Sequence, residues 1–212
     1  SGLFDNDSTL KITLSGNLRD LMTDVADNSQ NHPVAISYTQ NGKEVSINAE
    51  AKTRGHFRRT MGNCTYPPLL LQFTNNDALS SSIFKGQDKL KLVMPCVGDD
   101  YVTREWMIYR IYNLVTPKSF KARLVSVELY DTKKKKSTSP FYGILLEDDK
   151  QMAKRNEDVL IKLQLRPEQT DSMDFLKMAV FEYLIGNTDW SVQFQNVKLV
   201  ARDSLAIPAT VP

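Results

Sequence analysis

The segment VAISYTQNGKEVSINA, residues 34–49, sets the character of the first half of the chain. Two β-prone runs, 34–38 and 45–49, flank the polar sequence Gln40-Asn41-Gly42-Lys43. Asn-Gly between two such runs is the strongest short-range hairpin signal, because both residues tolerate the positive φ angles of a two-residue turn. We therefore predict an antiparallel β-hairpin over these residues.

Strand patterns continue on both sides of this hairpin. Leu10, Ile12 and Leu14 alternate with other residues in the way that is typical of a half-buried strand. The short apolar runs 69–73 and 90–94 indicate two further strands. The first hundred residues therefore predict a mostly antiparallel sheet.

Helical signals appear after residue 100. Apolar residues recur at helical spacing over 100–115, and this segment ends before Pro117. Runs 124–130 and 141–146 predict two strands, and a later helix over 175–185 is apolar nearly all round. A helix of that composition is expected to be central and buried.

Composition and motifs exclude several classes of protein. Of 212 residues, 41% are hydrophobic and 25% are charged, and a net charge of +2 is too balanced for a protein that wraps nucleic acid. No apolar run approaches the roughly 18 residues of a membrane helix, and residues 1–5 lack the regions of a signal peptide. Two histidines exclude histidine-based zinc sites, and the glycine spacing excludes the dinucleotide fingerprint and the P-loop.

The two cysteines, Cys64 and Cys96, have one possible pairing. The sequence does not fix whether their Cα atoms come within disulfide range. A disulfide and two half-buried thiols therefore both stay open.

An acidic residue and an amide follow the apolar helix in an order that suits phosphoryl transfer. Asp189 lies in the loop after the helix, and Asn196 begins the strand 196–200. In kinase-type phosphoryl transfer an Asp receives the hydroxyl proton, and an Asn a few residues later holds a metal ion that bridges the phosphates. Asp189 and Asn196 are seven positions apart, whereas the usual separation is five. The alternative therefore stays open, in which Asp189 caps a turn and Asn196 only starts a strand.

A series of segments in fixed order, from about residue 50 to residue 200, resembles the CotH family of spore-coat and exported kinase-like proteins. The segments are RG at 54–55, YPPLLLQF at 66–73, KLV at 91–93 leading to DYVTREW at 100–106, VELY at 127–130 with GILLE at 143–147, and IGNTDW at 185–190 leading to Asn196. The resemblance implies an α+β fold of the atypical protein-kinase-like type. It would have a β-rich N-lobe over 1–146, which includes the helix near 100–115, a mostly helical C-lobe over 147–212, and a nucleotide cleft between the lobes.

The resemblance also assigns roles to single residues. Asp189 would be the catalytic residue and Asn196 a metal ligand, with ATP and Mg²⁺ or Mn²⁺ as cofactors. Lys91 would contact the α- and β-phosphates, with Glu105 as its ion-pair partner. Lys89 faces the same side of the strand and is the alternative to Lys91.

Arg54 would contact a phosphate from the N-lobe. Two departures from the family pattern, at other positions, count against activity. Leu70 and Gln72 stand in the strand where the family tends to carry a basic residue. The family also has a second metal-binding Asp in an Asp-Phe-Asp-like run, and Asp203 is the only candidate for it before the chain stops at Pro212. The resemblance therefore implies either a chain that ends short of this ligand or a degenerate member.

The function that the resemblance implies is phosphoryl transfer from ATP to a Ser or Thr of a protein substrate. The alternative is a non-catalytic, pseudokinase-like surface or adhesion module that binds a partner protein through the same cleft or its sheet. Either protein would be exported to the periplasm, the cell surface or the medium. Neither is expected to bind nucleic acid or to span a membrane.

Overall fold

The computed structural model describes residues 2–55, 57–58, 60, 63–74, 77–193 and 195–212, with the side chain of Asp99 excepted. The strands are β1 Leu10–Gly16, β2 His32–Gln40, β3 Lys43–Thr53, β4 Leu69–Phe73, β5 Lys89–Val93, β6 Ala122–Asp131, β7 Lys136–Ser137, β8 Phe141–Glu147, β9 Val159–Ile161, β10 Lys198–Ala201 and β11 Ala209–Val211. The helices are α1 Leu18–Thr23, α2 Asp77–Ser80, α3 Asp99–Val115, α4 Asp149–Arg155 and α5 Ser172–Leu184, and a 3-10 turn covers Pro167–Gln169. None of these described helices has both the length and the apolar character needed to cross a membrane.

The chain divides into two compact units, 1–106 with 122–146 and 107–121 with 147–212. The first unit is a closed barrel whose seven strands follow the order β1-β2-β3-β4-β5-β8-β6. β1 closes the barrel by pairing in parallel with β6, whereas it pairs antiparallel with β2 on its other side. The short β7 pairs with the end of β6. The barrel is therefore mixed and has no open edge between its first and last strands.

This barrel shows that the predicted atypical protein-kinase-like α+β fold was wrong. Helix makes up only 24% of the chain. The stretch that was expected to form a mostly helical C-lobe contains β9, β10 and β11, which form a separate antiparallel sheet. The prediction failed because closure depends on the pairing of β1 with β6, and strands so far apart in sequence carry no local signal of their contact. The nucleotide cleft expected between two lobes was part of that predicted fold, so this expectation was wrong as well.

The predicted hairpin over residues 34–49 is confirmed. β2 and β3 pair antiparallel from His32↔Ala51 to Gln40↔Lys43, so that Asn41 and Gly42 form a two-residue turn. The φ angles of Asn41 and Gly42 are 52° and 74°. These positive values match the right-handed twist of the strands and explain why Asn-Gly occupies the turn.

Alternating apolar side chains of the barrel strands form the core of the first unit. Leu14 of β1 and Ile36 of β2, for example, are both 0% exposed. Gly143 of β8 lies at a close approach of the strands, since an added Cβ would meet the Val93 carbonyl oxygen at 3.1 Å and Val127 Cγ2 at 3.0 Å. A side chain at this position would require the neighbouring atoms to shift by a few tenths of an ångström.

A disulfide joins Cys64 to Cys96 and decides the question that the sequence left open. Their Cα atoms are 4.1 Å apart. The N–H of Thr65 donates to the Cys96 carbonyl oxygen at 3.0 Å, and the Thr65 Oγ1 donates to the same oxygen at 3.1 Å. The segment around Cys64 is thus fastened to the chain that leaves β5 by both a covalent bond and hydrogen bonds.

Two ion pairs with buried carboxylates organise the second unit. Arg155 of α4 donates Nε and Nη2 to the two carboxylate oxygens of Glu147, both at 3.0 Å, and Nη2 also donates to the Ser119 carbonyl at 2.6 Å. Asp158 pairs with Lys118 at 2.9 Å. Glu147 and Asp158 are 1% and 6% exposed, and a carboxylate so far removed from water requires a cation beside it. Arg155 thus joins α4 to the end of β8 and to Ser119, and Lys118 joins the connection after α3 to the segment that follows α4.

Helix α5 is not buried all round, so the expectation from its composition was wrong. Its buried residues are Met178, Phe181 and Glu182, whereas Tyr183 and Leu184 are 85% and 75% exposed. Among the described residues, α5 packs against β11 and against the loop that follows the helix. The prediction failed because the composition of a helix does not reveal how many of its sides neighbouring elements cover.

Candidate functional site

The loop that follows α5 begins at a well-defined helix end. Asp171 caps the start of α5, because its Oδ1 accepts the N–H groups of Met173 and Asp174 at 3.1 and 2.9 Å. At the other end, Gly186 adopts a φ of 69°, and its N–H donates to the Tyr183 carbonyl at 3.1 Å. A glycine in this left-handed conformation is the usual way to end a helix, and it directs the chain into residues 187–197.

Apolar contacts fix this loop against α5. Val192 and Val197 are buried in one cluster with Met178. The rings of Phe175 and Trp190 meet edge to face, with 6.1 Å between their centroids. Trp190 and Val192 lie between Asp189 and Gln195, and Val197 follows Asn196, so the loop is anchored within its length and not at its ends alone.

The structure brings the predicted pair Asp189 and Asn196 together. Asn196 Nδ2 donates to the Asp189 carbonyl oxygen at 2.6 Å and to the Asp189 carboxylate Oδ2 at 3.2 Å. Asn196 has a φ of 54°, a conformation that asparagine tolerates better than most residues. Both side chains are exposed. The result is a solvent-accessible carboxylate whose orientation is set by a neighbouring amide.

Two further polar residues complete the environment of Asp189. Gln195 Nε2 donates to the Asp189 Oδ1, so that each carboxylate oxygen accepts one amide hydrogen bond. Asn187 Oδ1 accepts the Asp189 N–H at 3.0 Å, which fixes the backbone before the carboxylate. Asp189 is therefore held at its N–H, its carbonyl and both carboxylate oxygens.

The sequence did not identify Gln195 or Asn187, although a signal existed for one of them. Asn187-Thr188-Asp189 has the spacing of an Asx turn, in which an Asn side chain accepts the N–H two residues later. Gln195 carries no local signal, because it reaches Asp189 only through the bridge that pairs Ser191 with Gln195. The bridge also explains why Asp189 and Asn196 are seven positions apart. The chain folds back between Ser191 and Gln195, and this brings Asn196 beside Asp189.

The remaining predicted site residues lie in the first unit. Lys91 on β5 is 7% exposed, whereas Lys89 on the same face of the strand is half-buried. Glu105 on α3 forms an ion pair with Arg58 at 3.4 Å. Arg54 directly follows β3, and its N–H donates to the Pro68 carbonyl at 2.9 Å. The roles assigned to Lys91, Glu105 and Arg54 stay predictions.

Asp203, the candidate for a second metal ligand, caps a turn in the second unit. Its Oδ1 accepts the N–H groups of Leu205 and Ala206 at 2.8 and 2.9 Å. One oxygen of the Asp203 carboxylate is therefore used by the backbone.

The oxygen donors of the loop suit a hard divalent cation. Mg²⁺ takes oxygen ligands and is usually bound by one or two carboxylates together with substrate phosphates and water. Asp189 supplies a carboxylate, and Asn196, whose Nδ2 is directed at Asp189, supplies an amide oxygen. Among the described residues, no three or more His, Cys, Asp or Glu side chains form a group that could hold a metal ion. The loop therefore offers one carboxylate and one amide oxygen as possible donors.

No protein-family model matches this chain, and no curated protein matches it significantly. The resemblance to the CotH family therefore rests on the ordered sequence segments alone. The local geometry of Asp189 and Asn196 is what supports a chemical role for the loop.

Proposed function

We propose that the loop after α5 is a site of divalent-metal-dependent phosphoryl transfer from ATP to a Ser or Thr hydroxyl of a protein substrate. The observation that supports this most directly is the hydrogen bonding of the Asn196 amide to both the carbonyl and the carboxylate of Asp189. An Asp that receives the hydroxyl proton and an Asn that holds the metal ion must lie side by side, as these two do.

In this proposal Asp189 orients the substrate hydroxyl and accepts its proton. Each carboxylate oxygen accepts one amide hydrogen bond, from Gln195 or from Asn196, and retains lone pairs for the hydroxyl. The amide oxygen of Asn196 would hold Mg²⁺ or Mn²⁺, which when bound neutralises the charge of the phosphates. Exposure of both side chains leaves room for a protein substrate to approach.

Phosphoryl transfer leaves little covalent chemistry for the protein, so positioning decides the rate. The loop meets this requirement because its apolar anchors, Val192 and Val197, are 4% and 1% exposed. Lys91 and Arg54 stay predicted phosphate contacts, and Glu105 stays the predicted ion-pair partner of Lys91, as the resemblance implies. Export is proposed as well, and the Cys64–Cys96 bond favours it because disulfides persist in oxidising compartments.

The test combines metal binding with phosphate transfer. Wild-type protein is titrated with Mn²⁺ by electron paramagnetic resonance and incubated with γ-labelled ATP and a mixed protein substrate, and Ser and Thr phosphorylation is read by mass spectrometry. We expect Asp189→Asn to remove at least about a hundredfold of the transfer rate, and Asn196→Ala to weaken Mn²⁺ binding in the presence of ATP. Asp174→Asn is the matched control, because Asp174 pairs with Lys177 on α5 and has no part in the loop. Wild-type protein that neither binds Mn²⁺ nor transfers phosphate rejects the proposal.

A second candidate function is a non-catalytic, exported surface module that binds a second copy of the chain. An apolar face in the second unit favours this candidate. We define the apolar face as the exposed apolar side chains of α5 and of residues 107–115 in α3. They are Met107, Ile111, Leu114, Val115, Met173, Leu176, Val180, Tyr183 and Leu184. A cavity of about 320 Å³ lies within this face, and Lys177 is the charged residue among those that line it. Exposed apolar patches of this extent usually mark interaction sites.

The apolar face is large enough for a stable dimer. Leu114, Tyr183 and Leu184 alone are 87%, 85% and 75% exposed. At roughly 100 Å² for each fully exposed large side chain, the face offers on the order of 500 Å² of apolar surface. Apolar atoms make up a little over half of an ordinary interface. The apolar face therefore corresponds to roughly 900 Å² of total interface per copy, compared with about 800 Å² per partner in a standard complex.

Analytical ultracentrifugation tests this second candidate. We expect a dimer at micromolar concentration that Leu184→Glu converts to a monomer. Leu205→Glu is the control, because Leu205 is 94% exposed but lies outside both helices. If the wild-type chain sediments as a monomer at every concentration, self-association is rejected. If that monomer also transfers phosphate, phosphoryl transfer is the one proposed function that remains.

A further inference from the structure

β9 is an edge strand of the three-stranded sheet in the second unit. The strands of this sheet follow the order β11-β10-β9, and β9 pairs with β10 from Val159↔Ala201 to Ile161↔Leu199. In an antiparallel pair, successive residues direct their N–H and C=O groups alternately toward the partner strand and away from it. At least one residue of β9 therefore directs both groups away from β10.

The chain after β9 lengthens this open edge, and we call residues 159–166 the β9 edge. The N–H and C=O groups of residues 162–165 form no hydrogen bond with other described residues. Ile161 and Leu165 both pack in one apolar cluster with Leu199, as residues four apart do on one side of an extended chain. Unpaired backbone groups along an extended segment are a template for the addition of another strand.

The side chains of the β9 edge alternate in character. Lys162, Gln164 and Arg166 fall on one side of an extended chain, whereas Leu163 and Leu165 fall on the other side. Lys162 and Arg166 are exposed, and Leu163 is 57% exposed. No ion pair is found for either cation among the described residues. The edge thus presents two available positive charges and one uncovered apolar side chain.

An extended acidic segment complements the β9 edge. Carboxylates four residues apart on one side of such a segment would face Lys162 and Arg166, and apolar residues on its other side would contact Leu163. A second copy of the chain fits less well, because antiparallel pairing of two such edges about Gln164 places Lys162 opposite Arg166. Lysine on an edge strand commonly discourages self-association of this kind.

The β9 edge leads toward the candidate site. Because β9 and β10 are antiparallel, the end of β9 lies beside the start of β10, where Ile161 pairs with Leu199. Asn196 precedes Leu199 by three residues, so their Cα atoms are at most about 11 Å apart. Residues 162–165 therefore leave the sheet at the end where Asn196 and Asp189 lie. A segment bound along the edge can reach the loop with a residue a few positions beyond the one beside Ile161.

We propose that the β9 edge binds an extended acidic segment of the protein substrate by strand addition and directs its Ser or Thr to the loop after α5. The backbone of the edge supplies affinity for an extended chain, and Lys162, Leu163 and Arg166 select a chain with alternating acidic and apolar residues. This inference rests on the proposed phosphoryl transfer for the fate of the bound segment. The binding step itself requires neither ATP nor a metal ion.

Fluorescence anisotropy tests the binding step in the full chain without ligands. The probe is a fluorescein-labelled peptide of about eight residues, the length of an ordinary strand, in which glutamate and valine alternate. We expect saturable binding that the double variant Lys162→Glu/Arg166→Glu weakens at least about tenfold. Lys43→Glu/Lys134→Glu is the matched control, because it makes the same change in charge at exposed lysines of the first unit. Absence of binding to wild type, or an equal loss in both double variants, overturns the proposal.

Methylation of the peptide backbone separates strand addition from simple attraction between charges. Two further probes carry N-methyl groups on alternate residues, one probe at the odd positions and the other at the even positions. A bound strand directs only one of these two sets of N–H groups toward the edge. We therefore expect one methylated probe to bind like the unmodified peptide and the other to bind at least about tenfold more weakly. Equal affinities of the two methylated probes overturn strand addition.

A kinetic measurement connects the edge to the proposed function and keeps the two separable. The peptide is extended by a glycine and a serine at one end or the other, and phosphate transfer to the serine is measured with γ-labelled ATP and Mn²⁺. We expect Lys162→Glu/Arg166→Glu to raise KM about tenfold for the peptide whose serine reaches the loop, and an unchanged KM overturns the role of the edge.

The two proposals fail in different ways. If wild type binds the probe but transfers no phosphate to any substrate, the proposed function is rejected and the edge remains a binding site for acidic segments. If wild type phosphorylates the mixed protein substrate but does not bind the probe, the proposed function stands and the inference about the β9 edge is overturned.

Discussion

Replacing both Cys64 and Cys96 with alanine opens a cross-link that spans 32 residues of the first unit. The change acts mainly on the unfolded chain, because the folded segment stays attached through Thr65, whose N–H and Oγ1 donate to the backbone of residue 96. For a closed loop of this length, the chain-entropy relation gives about 3.7 kcal/mol at 25 °C. We expect the double variant to lose ~3–4 kcal/mol of unfolding free energy and roughly 10 °C in Tm.

Urea unfolding followed by tryptophan fluorescence measures this loss in the unit that contains the bond. Trp106 belongs to the first unit and Trp190 to the second. In a Trp190→Phe background the fluorescence therefore reports the first unit. Reduction of the wild-type protein with dithiothreitol should reproduce the loss, and the same treatment should leave the double variant unchanged.

Two results would refute this reasoning. If oxidised wild type and the double variant agree within about 0.5 kcal/mol, the cross-link does not constrain the unfolded chain as the entropy relation requires. If the double variant loses stability but reduced wild type does not, the loss comes from the packing of the cysteine side chains and not from the bond.

Three further changes test other contacts of the fold. Glu147→Gln leaves Arg155 largely buried without its anion, and urea unfolding should show a loss of about 3 kcal/mol; an unchanged midpoint would contradict the structural role of the pair. Gly143→Ala places a Cβ 3.1 Å from the Val93 carbonyl oxygen, a backbone atom that cannot yield cheaply, so we expect a loss of about 1–3 kcal/mol, which a tolerated alanine would refute. The pKa of Asp24 is lowered by hydrogen bonds from the His32 ring and a backbone N–H, so its contribution to stability is complete above the unfolded pKa and is lost as pH falls through the lower folded pKa. Asp24→Asn should therefore make the fall of Tm below about pH 4 less steep, and an identical slope in both proteins would exclude this contribution.

Local signals in the sequence predicted local structure well. The Asn-Gly turn, with strands on both sides, appears as β2 and β3. The helix expected near 100–115 is α3, Asp99–Val115, and the apolar helix is α5, Ser172–Leu184. In each case the periodicity of apolar residues and the capping or turn residues lie within the element itself, so nothing outside the element is needed to define it.

Long-range structure could not be predicted in the same way. The closure of the barrel depends on β1 and β6, whose residues are apolar enough to pair with many partners. β9 and β11 are three residues each, too short for a periodic signal. A resemblance then supplied an arrangement of the elements that the structure contradicts.

The burial of α5 failed for a related reason. An apolar residue such as Leu184 or Tyr183 indicates that contact with another apolar surface is favourable, but not that the surface belongs to the same chain. Both side chains are largely exposed. Composition therefore identified an apolar helix correctly and its surroundings incorrectly.

The candidate site depends on contacts between residues that lie close together in the sequence. Among the described residues, the side chains that hydrogen-bond to Asp189 are those of Asn187, Gln195 and Asn196, which lie within seven positions of it along the chain. The loop also carries its own anchors on α5, so its geometry does not depend on how the barrel strands are ordered. Lys91 and Arg54, by contrast, were placed by a fold that the structure contradicts, and their roles need independent tests. Because function resides in a site and not in a fold, the Mn²⁺ titration of Asn196→Ala is decisive even though the predicted architecture was wrong.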